Sequence, residues 1–444
     1  MRGTGLGLAA ALVAAAAARG GSLLDRSAPV ATGSVVFVHP DGSGVAHWGA
    51  ARMWRAGPDG RLHWDRVEHL GVYRGHLRDA LASTSHGGGT VHAYGVKVPA
   101  DSFGMDGRQP LVALSGKPMS VMQEALAAGK AAGIVNSGNL NEPGTGVFLA
   151  SVPRRDASED ILRQIVRSGA QVILGGGEMW LLPKGARGRH GEGARMDGLD
   201  LVAEARSNGY AVVYTRAELA GLPPDTRKVL GVFAVNHTFH DLGEEELRAR
   251  GLPLYEPEAP AVAEMTAAAL AVLGRHAGGF LLVVEEEGND NFSNYRNARG
   301  ALEALGRADD AIGVVREYRR AHPQVLLLTA ADSDASGLEV IANPRRAPGA
   351  VGPDAPLPPA TTIGAPLDGR DGAATPPFLS APDEAGRRHP FAIAWTSMED
   401  TAGGIVARAE GPNAACVRTG VDNTDVYRLL YATLFGRWPD APAP

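Results

Sequence analysis

The sequence predicts a three-layer α/β/α sandwich around a mainly parallel sheet, on three observations. Short apolar runs of strand length alternate with longer amphipathic stretches of helical period, which is the pattern of strand–helix–strand units. The runs ending near Asp41, Glu285, Asp332 and Asp400 stop at or shortly before an acidic residue. Open parallel sheets present ligands there, at the carboxyl ends of their strands. The strand runs are also apolar without alternation, as expected for strands covered on both faces.

The elements follow in order. Residues 1–18 read as a signal peptide: Arg2 is a basic start, Leu6 to Ala18 an apolar stretch, and the alanine run offers small-residue cleavage sites. That stretch is too short to span a bilayer. Residues 19–33 form a linker of small residues, and 34–444 a single domain. Val35 to Val38 is the first strand, followed by a turn and a helical stretch from His47 to Arg55. Arg155 to Ser168 has helical apolar spacing at Ile161, Ile165 and Val166, with Asp156 or Ser158 as its cap. Gln171 to Leu174 is a buried strand ending in three glycines. The helix Pro260 to Arg275 feeds the strand Phe280 to Val284, and the helix Ala298 to His322 feeds Val325 to Thr329. The segment 343–388 breaks the pattern. It is crowded with Pro, Gly and Ala, lacks periodicity, and reads as an insertion forming a flap.

Composition narrows the function classes. The 444 residues are 44% hydrophobic and 21% charged, with net charge −6. No basic cluster supports nucleic-acid binding, and no segment after the leader is a membrane span. Export implies a periplasmic or secreted protein, where calcium and magnesium are plentiful. A chain with Cys416 alone forms no intramolecular disulfide.

Six segments carry the oxygen-bearing side chains that a divalent-metal hydrolase needs: H-P-D41-G-S-G, S-T-S85-H-G-G-G-T, E-P-G-T145-G, V-E285-E-E-G-N-D290-N-F-S-N294, A-A-D332-S333-D334 and S-M-E-D400-T-A-G-G. In order and spacing they resemble the alkaline phosphatase superfamily. Asp41-Gly42-Ser43-Gly44 is similar to the family's metal-ligating Asp-Gly-Met-Gly turn. Ser85, ten residues before Gly95-Val96-Lys97, stands where the family places its phosphorylated serine. Thr145 corresponds to a magnesium-ligating Thr, although Gly146 replaces the following Pro. Arg155 follows where the family keeps its phosphate-clamping arginine. Glu285 and Asp290, five apart, match a Glu and an Asp metal ligand.

The departures are coherent. The family's three zinc-binding histidines are replaced by Asn294, Ser333 and Asp400, and Thr84 replaces the Asp before the nucleophile. Amide, hydroxyl and carboxylate oxygens suit magnesium, calcium or manganese, whereas imidazole suits zinc. The expected set is therefore all-oxygen: Asp41, Thr145, Glu285, Asp290, Asn294, Asp332, Ser333 and Asp400, holding Mg2+ and Ca2+ or Mn2+, with zinc disfavoured. Glu286 and Glu287 compete with Glu285, because three consecutive acids leave the register open; Asp334 competes with Ser333, and Thr84 with Ser85. The resemblance implies a secreted phosphomonoester hydrolase acting through a phosphoserine at Ser85. It further implies small phosphorylated substrates and a homodimer. A phosphodiester, phosphonate or sulfate hydrolase of the same superfamily is the enzymatic alternative. A catalytically inactive metal- or phosphate-binding relative is the other.

Overall fold

The computed structural model describes residues 21–352 and 354–440, so the expected signal peptide lies outside the described residues. In chain order the strands are β1 (Ser34–Pro40), β2 (His69–Arg74), β3 (Ala131–Asn139), β4 (Val172–Gly176), β5 (Ala211–Val213), β6 (Val229–Val232), β7 (Phe280–Glu286) and β8 (Val325–Thr329). They continue as β9 (Asp334–Ala335), β10 (Leu338–Ala342), β11 (Leu367–Gly369), β12 (Gly372–Ala373), β13 (Phe378–Leu379), β14 (Pro390–Trp395), β15 (Asp400–Thr401), β16 (Val406–Glu410) and β17 (Gly420–Asp422). Ten form one sheet in the order β17-β2-β16-β8-β1-β7-β3-β4-β6-β5. Neighbours pair in parallel except at β16, which runs against both β8 and β2. Among the described residues no helix is long and apolar enough to cross a membrane.

Period-two alternation builds the two apolar layers. Along β1, Val35 and Phe37 enter one layer while Val36 and Val38 enter the other; β8 divides in the same way, with Leu326 and Leu328 opposite Val325 and Leu327. Helices Ser85–Tyr94, Ser158–Arg167 and Asn423–Phe435 close the first layer. Helices Val45–Ala56, Val262–Leu273 and Ala298–Ala321 close the second. The three-layer expectation therefore holds, and its long helices and central strands fall within a few residues of the bounds read from periodicity.

Two local expectations fail. The helix expected from Arg155 begins at Ser158, with Ala157 at the capping position and no side-chain cap. Asp156 is taken by Arg154, and the Ser158 hydroxyl accepts from Asn141 at 2.8 Å. Segment 343–388, which shows no strand period, nevertheless supplies β11, β12 and β13 to a second sheet whose spine is β14. Pairings two or three residues long are too brief to leave a period. They are placed by β14 and by the Trp395 indole, which donates to Asp368 at 2.5 Å.

A candidate metal centre at the carboxyl ends of the central strands

Parallel register sets the first positions. At the carboxyl end of the sheet, His39 on β1 and Asn136 on β3 both lie level with Glu285 on β7. Alternation then separates the three consecutive acids. The Glu286 carboxylate accepts from Ser137 Oγ at 2.8 Å and from the Gly288 amide at 3.2 Å, with Tyr255 beside it. Glu285 and Glu287 fall on the other face, toward the acids of the neighbouring strand ends.

Two clusters share Asp41. In the first, His39 Nε2 lies 3.4 Å from an Asp41 oxygen and 3.5 Å from an Asp332 oxygen. In the second, carboxylates of Asp41, Glu287 and Asp290 converge within 4.8 Å of one another. Both sit almost wholly out of solvent. One oxygen each of Asp41, Glu285, Glu287 and Asp290, both of Asp332, and both nitrogens of His39 have no hydrogen-bond partner among the described residues. Orphaned buried acids are costly unless a cation compensates them, so these residues fit divalent metal. The same crowding displaces their proton equilibria. Burial and the Asp332 charge push the Asp41 carboxyl well above the usual range. Burial likewise pushes Glu285 up to about 7 and holds Glu287 and Asp290 well above normal. Burial opposes ionisation of Asp332 as well, but contacts with His39 and Asp41 hold it well below.

The structure gathers Asn294, Ser333 and Asp400 around Asp290. Asn294 donates to Asp290 at 3.1 Å. Asp400 lies against Asp290, Ser333 and Asn294, and burial raises it to about 6. It arrives through the short β15–β9 pairing, which aligns Thr401 with Asp334. Asp334 itself sits 3.4 Å from His47 Nδ1. Thr145 stands beside Glu285: its hydroxyl accepts from Asn136 Nδ2 at 2.9 Å, and the same amide reaches Glu285 at 2.5 Å. At Gly144 in the same turn a Cβ would stand 1.8 Å from Glu285 Oε1, so the backbone there lies tight against that carboxylate.

Ser85 opens the helix Ser85–Tyr94 and is nearly buried. Thr84 is its N-cap: the Thr84 hydroxyl accepts from Gly87 N at 3.1 Å and donates to Ala100 O at 2.8 Å. That hydroxyl is committed to structure, whereas Ser85 Oγ makes no hydrogen bond among the described residues. Gly88 brings the helix against Asp332; a Cβ there would lie 2.6 Å from Asp332 Cβ. Arg155 is half-exposed at the rim, 3.2 Å from Glu142, with the charges of Glu287, Asp41 and Asp290 around it. Arg154 turns instead to Asp156.

Beside the expected oxygen donors the structure sets an imidazole that the sequence reading did not weigh: His39 lies between Asp41 and Asp332. A signal was present: His39 stands two residues before Asp41, and period two along a strand puts both on one face. Glu142 and Asn136 had no such mark.

The alkaline phosphatase family matches residues 33–347. The tissue-nonspecific alkaline phosphatase of Rattus norvegicus is 26% identical over 318 residues, covering 63% of this chain and 59% of its own length. The chain therefore aligns with about three fifths of such curated relatives. The Thermus thermophilus alkaline phosphatase superposes with a TM-score of 0.70 at 23% identity, over 94% of this chain and 96% of its own. A variant of the enzyme from the Antarctic bacterium TAB5, solved with Mg bound, gives 0.68 at 15% identity, over 93% and 99%. The solved structures agree in fold and the family match spans most of the sequence: this chain belongs to the alkaline phosphatase family.

Proposed function

We propose that the chain is a metal-dependent hydrolase of phosphomonoesters that works through Ser85. The observation that carries this reading is the meeting of Ser85's helix, through Gly88, with a wall of partnerless buried carboxylates headed by Asp332. Divalent cations held by Asp41, Asp332, Glu287 and Asp290 would offset charge on the phosphoryl oxygens and make the serine and leaving-group oxygens more acidic.

The chain's own groups supply the rest. The Ser85 oxygen forms a bond to phosphorus as the ester P–O bond breaks, and the alcohol leaves with a proton. Water then attacks the phosphoserine, releasing phosphate and restoring the hydroxyl. The first turn of the Ser85–Tyr94 helix turns its positive end toward an anion. Arg155 presents a planar fork suited to two phosphoryl oxygens, a geometry lysine does not reproduce. The same reading carries export, small phosphorylated substrates and a homodimer as proposals.

Nitrophenyl phosphate, nitrophenyl sulfate and a bis-ester, assayed side by side, test the substrate class: the monoester should be turned over fastest. Mass spectrometry of acid-quenched protein should find phosphate on Ser85. Ser85→Ala should lower kcat by about 10³-fold or more, as loss of a nucleophile does elsewhere, with an unchanged melting temperature. Full activity in Ser85→Ala would end this reading.

A further inference from the structure

His39 is the donor in the centre that neither the all-oxygen expectation nor the family resemblance provides. It has no exposed surface, and neither ring nitrogen has a hydrogen-bond partner. Two readings compete. An imidazolium clamped between two acids should make charge-assisted hydrogen bonds of about 2.7–2.9 Å. The observed separations of 3.4 and 3.5 Å are longer and lack hydrogen-bond geometry. They do match the edge between donors in a tetrahedron with metal bonds of about 2.0–2.1 Å, which is about 3.3–3.4 Å. Octahedral magnesium at a similar bond length would bring adjacent donors to about 2.9 Å, whereas calcium at about 2.3–2.6 Å would give about 3.3–3.7 Å. The edge therefore argues against magnesium, and the imidazole, which suits zinc rather than calcium, argues against calcium.

The opposite half differs in kind. Asp41, Glu287 and Asp290 contribute oxygen alone, and the groups around Asp290 are an amide, a hydroxyl and a carboxylate. We infer that His39, which none of the family's motifs supplies, is a metal ligand, and that with Asp41 and Asp332 it holds a zinc-class ion in a centre that has lost its expected histidines. This deepens the proposed function by naming a residue that holds the metal, and it rests on that reading only for the metal's purpose.

The test uses metal-stripped full-length protein labelled with 15N-histidine, titrated with Zn2+ or Mg2+ alone and followed by NMR and calorimetry. One buried imidazole should shift with zinc and stay still with magnesium, and that signal should vanish in His39→Gln. Zinc affinity should fall in His39→Gln by at least about 10- to 100-fold, the cost of losing even an outer-shell partner. Magnesium affinity should not change. Zinc affinity in His39→Gln equal to wild type, or a His39 resonance unmoved at zinc saturation, would overturn the inference. Should His39→Gln fail to fold, the wild-type resonance decides alone. Neither readout involves turnover, so zinc binding through His39 without ester hydrolysis would support this inference while removing the hydrolase reading.

Discussion

The two sides of Asp41 solve one electrostatic problem differently. On the His39 side, the two acids diverge: Asp332 is held well below the usual carboxylate range and Asp41 well above it. Burial opposes charge on the imidazole between them, but the Asp332 and Asp41 carboxylates raise its pKa well above the ordinary value all the same, and a bound zinc-class ion would displace that proton. Among the described residues the metal-ligand group on the Asp290 side contains no imidazole. Burial and mutual repulsion push Glu287 and Asp290 well up, and Asp400 up to about 6. The difference teaches that neighbouring strand ends in one sheet can carry distinct donor chemistry. A single strand residue, His39 or its absence, decides whether an imidazole or oxygen alone stands among the acids.

The largest expected effect breaks both sides at once. Asp41→Asn should strip metal from the whole centre, whereas Asp290→Asn should remove it only from the oxygen side; elemental analysis of the dialysed variants reads this directly. Loss of a single ion in Asp41→Asn would mean that the two sides do not share a ligand.

A smaller effect isolates the His39 side from its helix. Gly88→Ala would put a methyl 2.6 Å from Asp332 Cβ and 2.4 Å from Ser83 Oγ. Overpacking of this kind costs about 1–3 kcal/mol, so the denaturation midpoint should fall and turnover with it. Wild-type stability and turnover in Gly88→Ala would show that the helix does not press on Asp332.

The smallest effect supplies a contrast from outside the centre. Burial, with the nearby Asp368 charge, pushes Glu244 up to about 8, and burial pushes Asp368 up to about 7. Both folded values lie above the ordinary carboxylate range near 4. Their contribution to stability is therefore complete below about pH 4 and is lost as pH rises through 7 and 8. Thermal melts from pH 5 to 9 should decline less steeply in Glu244→Gln than in wild type. Added metal should raise the melting temperature without changing that difference between the two proteins. Parallel pH profiles for the two would show that Glu244 is ionised in the fold throughout.

Much of the molecule was determined by the sequence alone, wherever the cause is local. Apolar runs such as Val35 to Val38 and Val325 to Thr329 become central strands because period two fills both layers at once. The helices Val262–Leu273 and Ala298–Ala321 follow from their own spacing. Parallel strands then oblige Asp41, Asp332 and the acids at the end of β7 to meet at one edge, and the resemblance of the Ser85 segment to the family's motif implies the serine beside them.

Tertiary structure decided the matters that depend on register between distant strands. Glu285 stands level with His39 because β1 and β7 pair at those residues, and nothing within either segment states it. Asp400 reaches Asp290 through a two-residue pairing, too short to carry any period. Segment 343–388 owes its strands to β14 rather than to its own pattern. The imidazole in the metal centre belongs with these. Period two sets His39 on the face of Asp41, but only the fold brings Asp332 to its other side.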